Sequence, residues 1–228
     1  MGIMKSKTNR AMIAGLVVST AVIGTGAETA SAELIAYWHF NNYPGLSVPP
    51  NPTPADVGSG SIRWYPEGGP IEVQGLGTNL NALPGYEGTQ AVVLGAFFGT
   101  SRMVDFDISM ADMKDLTVSY ATMGTPLSWK SHRWQWSLDG VNFTEAASAT
   151  VNVNQAWQRI TIDFSSVAAL TNAAQVTLRL VLDDAVIDNV GFTWVDNFQM
   201  HGTLIPAPGV LALLGIAEMT GRPRRRRV

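Results

Sequence analysis

Much of this chain alternates apolar and polar residues with a period of two, which restricts those segments to β-strands. Residues 176–182 place one valine and three leucines on one face, with threonine and arginine on the other. Residues 116–120 and 160–164 alternate in the same way. Asp139 and Gly140 separate the segments 134–138 and 141–143, and they predict a hairpin because glycine accepts a positive φ. Many short strands joined by turns predict an all-β sandwich or barrel.

Further strands are predicted over residues 34–40, 61–65, 90–98, 104–108 and 191–203. Residues 165–172 favour a short helical turn, and the five prolines in 44–60 predict a loop. The sequence shows no internal repeat, and residues 33–204 have the length of one domain.

The first 32 residues have the three parts of a secretory signal peptide. Lys5, Lys7 and Arg10 are followed by an uncharged, mostly apolar segment over 11–24. This segment is shorter than the ~20 residues that span a membrane. The small residues Ala30 and Ala32 then provide the pattern that signal peptidase requires. We therefore predict a helical signal peptide over 1–32, cleaved after Ala32.

The last 24 residues, 205–228, combine a proline break, an apolar segment and a basic cluster. Pro206 and Pro208 end the preceding structure. Residues 210–217 are uncharged and predict a short apolar helix. The basic cluster, which would stay in the cytoplasm, consists of Arg222, Arg224, Arg225, Arg226 and Arg227.

This order of features resembles the PEP-CTERM sorting signal of bacterial exported proteins. Two features differ from that family: Ala207 stands where glutamate is usual, and the apolar segment is short, with Glu218 at its far end. The resemblance implies a transient, membrane-anchored precursor whose tail an exosortase-type membrane protease removes. The alternative for the arginines is a solvated or nucleic-acid-binding tail, which leaves the apolar segment without a role.

The body between these two ends is acidic and has no cysteine. Residues 33–204 carry seven lysines and arginines against sixteen aspartates and glutamates. Such a charge disfavours nucleic acid and suits a surface protein or one that binds divalent cations. The absence of cysteine excludes disulfides, catalytic thiols and cysteine-based zinc sites.

Four segments of the body resemble jelly-roll domains and carbohydrate-binding sandwiches of the galactose-binding type. They are residues 36–42, 136–144, 176–180 and 195–198. The resemblance implies a two-sheet antiparallel jelly-roll sandwich, and it implies a fold more than an activity.

Catalytic motifs are absent from the sequence. His39, His132 and His201 have no metal-ligand spacing, and no Gly-x-Ser-x-Gly segment is present. The clustered Glu-x-Asp-x-x-Glu strand of sandwich glycosidases is missing as well. A non-enzymatic protein is therefore expected. The alternative is a secreted glycan-cleaving enzyme, either a hydrolase or a lyase, with an unfamiliar pair of carboxylates.

Asp196 is the strongest candidate for a metal ligand. It alternates in phase with four apolar residues of the last strand, Phe192, Trp194, Phe198 and Met200. In related sandwiches an aspartate of the final strand helps to hold a structural calcium ion, and Asn41, Asp183 and Asp184 are candidates for further oxygen ligands. The alternative is a β-bulge that turns Asp196 to solvent or onto backbone N–H groups.

The seven tryptophans divide into core and candidate ligand-binding residues. Trp134 and Trp136 share a face with Leu138 and are predicted in the core. Trp64 and Trp129 lie in loop-like surroundings and are candidates for exposed residues that stack on sugar rings. Asp105 and Asp107, by contrast, are predicted to form a solvated strand face.

Together these features predict an exported, non-enzymatic protein of the cell surface or extracellular matrix, with polysaccharide as an expected ligand. Its expected partners are signal peptidase and an exosortase-type protease, and structural Ca²⁺ is the one cofactor considered.

Overall fold

A computed structural model describes residues 31–206, except for 44, 46, 66–70, 98–99, 153–154 and 187–189. The predicted signal-peptide helix, with Ala30, lies outside the described residues. So do the predicted C-terminal helix, Pro208 and the arginines Arg224, Arg225, Arg226 and Arg227. Within the described part of the chain, no helix has the length and apolar character needed to cross a bilayer.

The described residues form thirteen strands and one 3₁₀ turn. The strands are β1 (Ala32–Trp38), β2 (Thr53–Pro54), β3 (Val57–Gly58), β4 (Ser61–Trp64), β5 (Ile71–Gln74), β6 (Ala91–Phe97), β7 (Arg102–Ile108), β8 (Met113–Gly124), β9 (Ser131–Ser137), β10 (Thr144–Thr150), β11 (Gln158–Asp163), β12 (Val176–Asp183) and β13 (Val190–Leu204). The 3₁₀ turn, Ala168–Leu170, confirms the short helical turn predicted there.

These strands form two antiparallel sheets that face each other. Sheet A has the order β11-β8-β13-β1-β3, and β6 also pairs with β13 and carries β5. Sheet B has the order β10-β9-β12-β7-β4-β2. From β7 to β13 the chain changes sheet at every connection except the β9–β10 hairpin. The fold is therefore the predicted two-sheet, antiparallel jelly-roll sandwich.

The apolar face of each alternating strand lies in one core between the sheets. At its centre Phe198 of β13 contacts Phe106 of β7 and Tyr120 of β8, with ring centroids 4.9 Å apart in both pairs. Trp134 is fully buried beside Phe106, as predicted, and Trp136 is partly buried against the same core.

Two local predictions need correction. The hairpin is present, but its second strand begins at Thr144 and not over 141–143. Oδ1 of Asp139 accepts the backbone N–H groups of Val141 and Asn142, which holds that segment in a turn. The second correction concerns the proline-rich residues 44–60. They are predicted to form a loop, but they contain the short strands β2 and β3.

Candidate functional site

A β-bulge in β13 changes the face that Asp196 occupies. The ladder with β8 shifts its register between Asp196 and Gln199, and Asn197 within this bulge has a φ of 51°. The bulge breaks the two-residue period, so that Phe198 and Met200 enter the core together with Val195. The common apolar face expected for Asp196 and Phe198 is therefore wrong.

The carboxylate of Asp196 is fully buried and accepts two backbone N–H groups. Oδ2 accepts Thr78 N at 2.9 Å, and Oδ1 accepts Asn197 N at 2.8 Å. Burial raises the pKa of Asp196 to about 8, although the two N–H groups act in the opposite direction. This geometry matches the predicted alternative, in which a bulge turns Asp196 onto backbone N–H groups.

Hydrogen bonds from the bulge also hold the loop of residues 76–90 against sheet A. The side-chain amide of Asn197 donates to the carbonyls of Thr78 at 2.6 Å and Leu80 at 3.1 Å. Its oxygen accepts the hydroxyl of Tyr37 at 2.6 Å. Asn81 of the loop donates in return to the carbonyl of Asn197 at 2.7 Å. Asp196 thus belongs to a buried polar network that positions this loop.

The other predicted calcium ligands do not join Asp196 in one acidic cluster. Asn41 Oδ1 already accepts Thr89 N, Thr89 Oγ1 and Gln90 N, each at 3.0 Å. Asp183 accepts Ser101 Oγ at 2.9 Å and Arg133 Nη2 at 3.1 Å, and Asp184 follows it at the end of β12. Within the ranges that the structure covers, no three histidine, aspartate or glutamate side chains are grouped to hold a metal ion.

Neither Trp64 nor Trp129 is exposed, and the prediction that they stack on sugars from the surface is wrong. Trp64 is 4% exposed, because it occupies a core-facing position of β4, where its Nε1 donates to Thr53 Oγ1 at 2.7 Å. Trp129 is fully buried, and its Nε1 donates to the carbonyl of Thr100 at 2.8 Å. Each ring is thus covered, and each indole N–H has a partner within the fold.

The outer face of sheet B carries a polar row that the sequence did not reveal. The register of four adjacent strands places Gln135, Arg179, Asp105 and Arg63 side by side. Arg179 donates two hydrogen bonds to Asp105, from Nε to Oδ1 at 2.7 Å and from Nη2 to Oδ2 at 2.8 Å. The hydroxyl of Tyr65 also donates to Asp105, at 2.8 Å. Asp105 is fully buried under these groups, so the prediction of a solvated strand face is wrong for it.

Further ion pairs flank this row. Arg63 Nη2 donates to Asp107 Oδ1 at 3.0 Å, and Thr177 donates to the same oxygen at 2.7 Å. Farther along the sheet, Arg133 contacts Glu145 at 3.2 Å and Asp183 at 3.1 Å. We call the outward side chains of this sheet the polar face; they are Arg63, Tyr65, Asp105, Asp107, Arg133, Gln135, Phe143, Glu145, Thr177, Arg179 and Asp183.

Two aromatic rings flank the central arginine of the polar face. The guanidinium carbon of Arg179 lies 3.6 Å from the ring centroid of Phe143 and 5.7 Å from that of Tyr65. Both rings are half-buried. The bonds to Asp105 raise the pKa of Arg179 above its usual range, so this cation is permanent. The arrangement provides planar hydrogen-bonding groups beside apolar rings, all held in fixed orientations.

Several solved structures are similar to this chain at low sequence identity. TmCBM61 in complex with β-1,4-galactotriose has 12% identity and a TM-score of 0.41, with 62% of this chain and 86% of that chain covered. The K2 cleaved adhesin domain of Lys-gingipain has 12% identity and a TM-score of 0.44, with 75% and 99% covered. A family 35 carbohydrate-binding module from an environmental isolate has 18% identity and a TM-score of 0.37, with 55% and 84% covered.

No protein-family model matches the chain, and no curated protein is similar to it.

Proposed function

We propose that this chain is an exported, non-enzymatic protein of the cell surface or extracellular matrix that binds polysaccharide through its polar face. The observation that carries the proposal is the row Gln135, Arg179, Asp105 and Arg63, which crosses four adjacent strands. A polysaccharide is a repeating chain of hydroxyl groups and apolar ring faces. A surface that binds it needs planar hydrogen-bonding groups next to exposed apolar rings.

The ion pairs fix these groups before a ligand arrives. Arg179 is held by Asp105 and by the ring of Phe143, so little side-chain entropy remains to be lost on binding. Arg63 keeps 40% and Arg133 keeps 34% of its side chain exposed, which leaves donors available to a ligand. Their partners Asp107 and Glu145, 28% and 52% exposed, offer acceptors beside them.

The same ion pairs favour binding over cleavage. A glycosidase needs a pair of carboxyl groups that both face the scissile bond. Each carboxylate of the polar face instead contacts an arginine. Asp105, which is buried, is thus suited to orienting Arg179, whereas Asp107 can orient Arg63 and also accept ligand hydroxyl groups.

Export is proposed from the two ends of the sequence. Cleavage after Ala32 would leave Glu33 at the exposed beginning of β1, without disturbing the core positions of that strand. At the other end, β13 stops at Leu204, two residues before Pro206, so removal of the sorting tail would leave every described strand intact. We assign these steps to signal peptidase and to an exosortase-type protease that acts on an inner-membrane intermediate.

The binding proposal is tested by affinity electrophoresis of the purified chain through gels that contain xylan, galactan or alginate. Retardation by at least one of them is expected, and Arg63→Ala with Gln135→Ala should abolish it. The matched control is Lys114→Ala, at a lysine of sheet A with 44% of its side chain exposed, which should migrate as the wild type does. No retardation in any gel, or equal retardation of all variants, would contradict the proposal. New reducing ends in the retarding gel would indicate the glycan-cleaving alternative.

Processing is tested separately, by mass spectrometry of the protein recovered from cells and medium. Secreted material is expected to begin at Glu33 and to lack Arg224, Arg225, Arg226 and Arg227. Intact arginines on all secreted protein would contradict tail removal without affecting the binding proposal.

A further inference from the structure

Strand β11 forms an edge of sheet A, and among the described strands only β8 pairs with it. Directly after β11, the N–H of Phe164 donates to the carbonyl of Leu116 on β8. Backbone groups of an antiparallel strand alternate in direction along the chain. Even-numbered positions of β11 therefore bond to β8, whereas Arg159, Thr161 and Asp163 direct their N–H and C=O groups away from it. Such an edge is a template for another strand.

The side chains of those three residues have a self-complementary order. Arg159, Thr161 and Asp163 are all exposed and share the outer face of sheet A, so the edge reads positive, neutral, negative. Their neighbours on β8, in register, are Ala121, Ser119 and Thr117, none of which is charged. Asp163 Oδ1 accepts a hydrogen bond from Ser165 N at 2.8 Å, which orients the carboxylate. The opposite face of β11 carries two isoleucines that pack toward the core, Ile160 and Ile162.

We propose that β11 pairs with β11 of a second copy of this chain, antiparallel, about a two-fold axis through Thr161. In this register Arg159 lies opposite Asp163 of the partner subunit, and Asp163 opposite Arg159 of the partner subunit. Each pair, including Thr161 with its equivalent, can exchange both backbone hydrogen bonds. Ile160 also lies opposite Ile162 of the partner subunit on the inner face, a favourable β-branched pair.

The charge order selects this partner and this register. A parallel pairing would place like charges side by side, and an antiparallel pairing shifted by two residues would lose both ion pairs. Asn152 and Gln158 bond to each other at the beginning of β11, and from Arg159 onward no described strand other than β8 pairs with it. A single ladder this short buries less than the ~1,000 Å² that a stable interface exceeds. The dimer should therefore be weak and form only at high protein concentration.

The proposal is tested by sedimentation velocity of the purified chain from low micromolar to near-millimolar concentration. The wild type is expected to change from monomer to dimer within that range. Arg159→Glu and Asp163→Arg, each alone, replace two attractive pairs by two repulsive ones and should weaken dimerisation about tenfold or more. The double variant, Arg159→Glu with Asp163→Arg, restores opposite charges across the axis and should dimerise again.

Lys114→Glu is the control for Arg159→Glu, because it changes the net charge equally and lies outside the part of β8 that pairs with β11. It should leave the dimer unchanged. Thermal melts of all variants separate a loss of dimer from a loss of fold. Three results would each overturn the proposal. They are a wild type that stays monomeric throughout, a dimer that the single variants leave unchanged, and a folded double variant that stays monomeric.

Discussion

The hydroxyl of Tyr120 and Nδ1 of His132 lie 2.7 Å apart in the core, and their rings are nearly parallel. Tyr120 belongs to β8 of sheet A and His132 to β9 of sheet B, so the contact joins the two sheets. Both side chains are fully buried. Burial lowers the pKa of His132 to about 3, so the folded protein holds the ring neutral at physiological pH. The pair is thus a polar contact across an otherwise apolar interior.

The neutral state of His132 predicts sensitivity to acid. Its folded pKa lies below the unfolded value of 6.5, so its contribution to stability is complete above pH 6.5 and is lost as pH falls toward 3. His132→Gln removes this titration. Below pH 6.5 the wild type should therefore lose stability relative to the variant. The loss in unfolding free energy is at most about 1.4 kcal/mol per pH unit. Urea unfolding at pH 7, 5.5 and 4 measures it; a constant difference would disprove the buried neutral histidine.

Removing the hydroxyl of Tyr120 should destabilise the protein without changing its shape. Tyr120→Phe leaves His132 Nδ1 without its partner, at a cost of about 1–3 kcal/mol. Tyr43→Phe is the matched control, because Tyr43 is only half-buried and packs at the margin of the core. Urea unfolding at pH 7 compares them. Equal effects of the two substitutions would show that the cross-sheet bond adds nothing to stability.

Trp129 is expected to act on stability and not on ligand binding. Trp129→Ala empties a fully buried site and removes the donor to Thr100, which should cost about 3–5 kcal/mol. Trp136→Ala, at a partly buried position, should cost less. Thermal melts rank the two variants, and electrophoresis at a temperature where both are folded should show wild-type retardation. If a folded Trp129→Ala protein lost its retardation, Trp129 would contribute to polysaccharide binding after all.

Calcium stays a prediction for Asp196. Among the described side chains no lysine, arginine or histidine forms an ion pair with this buried carboxylate, so a bound cation would stabilise its charged form. We expect calcium to raise the melting temperature by a few degrees over a sample with chelator, and Asp196→Asn to remove that difference. Asp183→Asn is the control, since Asp183 binds Arg133 elsewhere. Identical melts of the wild type with and without chelator would exclude the site.

The sequence was sufficient to predict the fold because several strands, among them β4, β9 and β11, are more buried on one face than on the other. Period two is visible in β11 and β12, and the described strands there match the predicted segments within two residues. The pattern failed at Asp196, because a bulge inserts one residue and moves every later side chain to the other face. Asn197, which tolerates a positive φ, was the one local signal of that bulge.

The polar face could not be predicted because it depends on register between distant strands. Asp105 and Arg179 are 74 positions apart, and their pairing exists only once β7 and β12 are aligned. Taken alone, each strand shows a polar outer face, which is typical of solvent exposure. The prediction that Trp64 and Trp129 are exposed was wrong for a related reason. Proline, lysine and arginine near them in sequence indicate a surface loop, but contacts with distant elements bury both tryptophans.

The position of β13 has a consequence for the order of events in the cell. This last strand lies at the centre of sheet A, between β8 on one side and both β1 and β6 on the other, and its His201 pairs with Leu34 of β1. Sheet A therefore cannot close until nearly all of the chain has left the ribosome, and such long-range pairing forms slowly. Late closure of sheet A would keep the chain unfolded for longer, which fits the export proposed above.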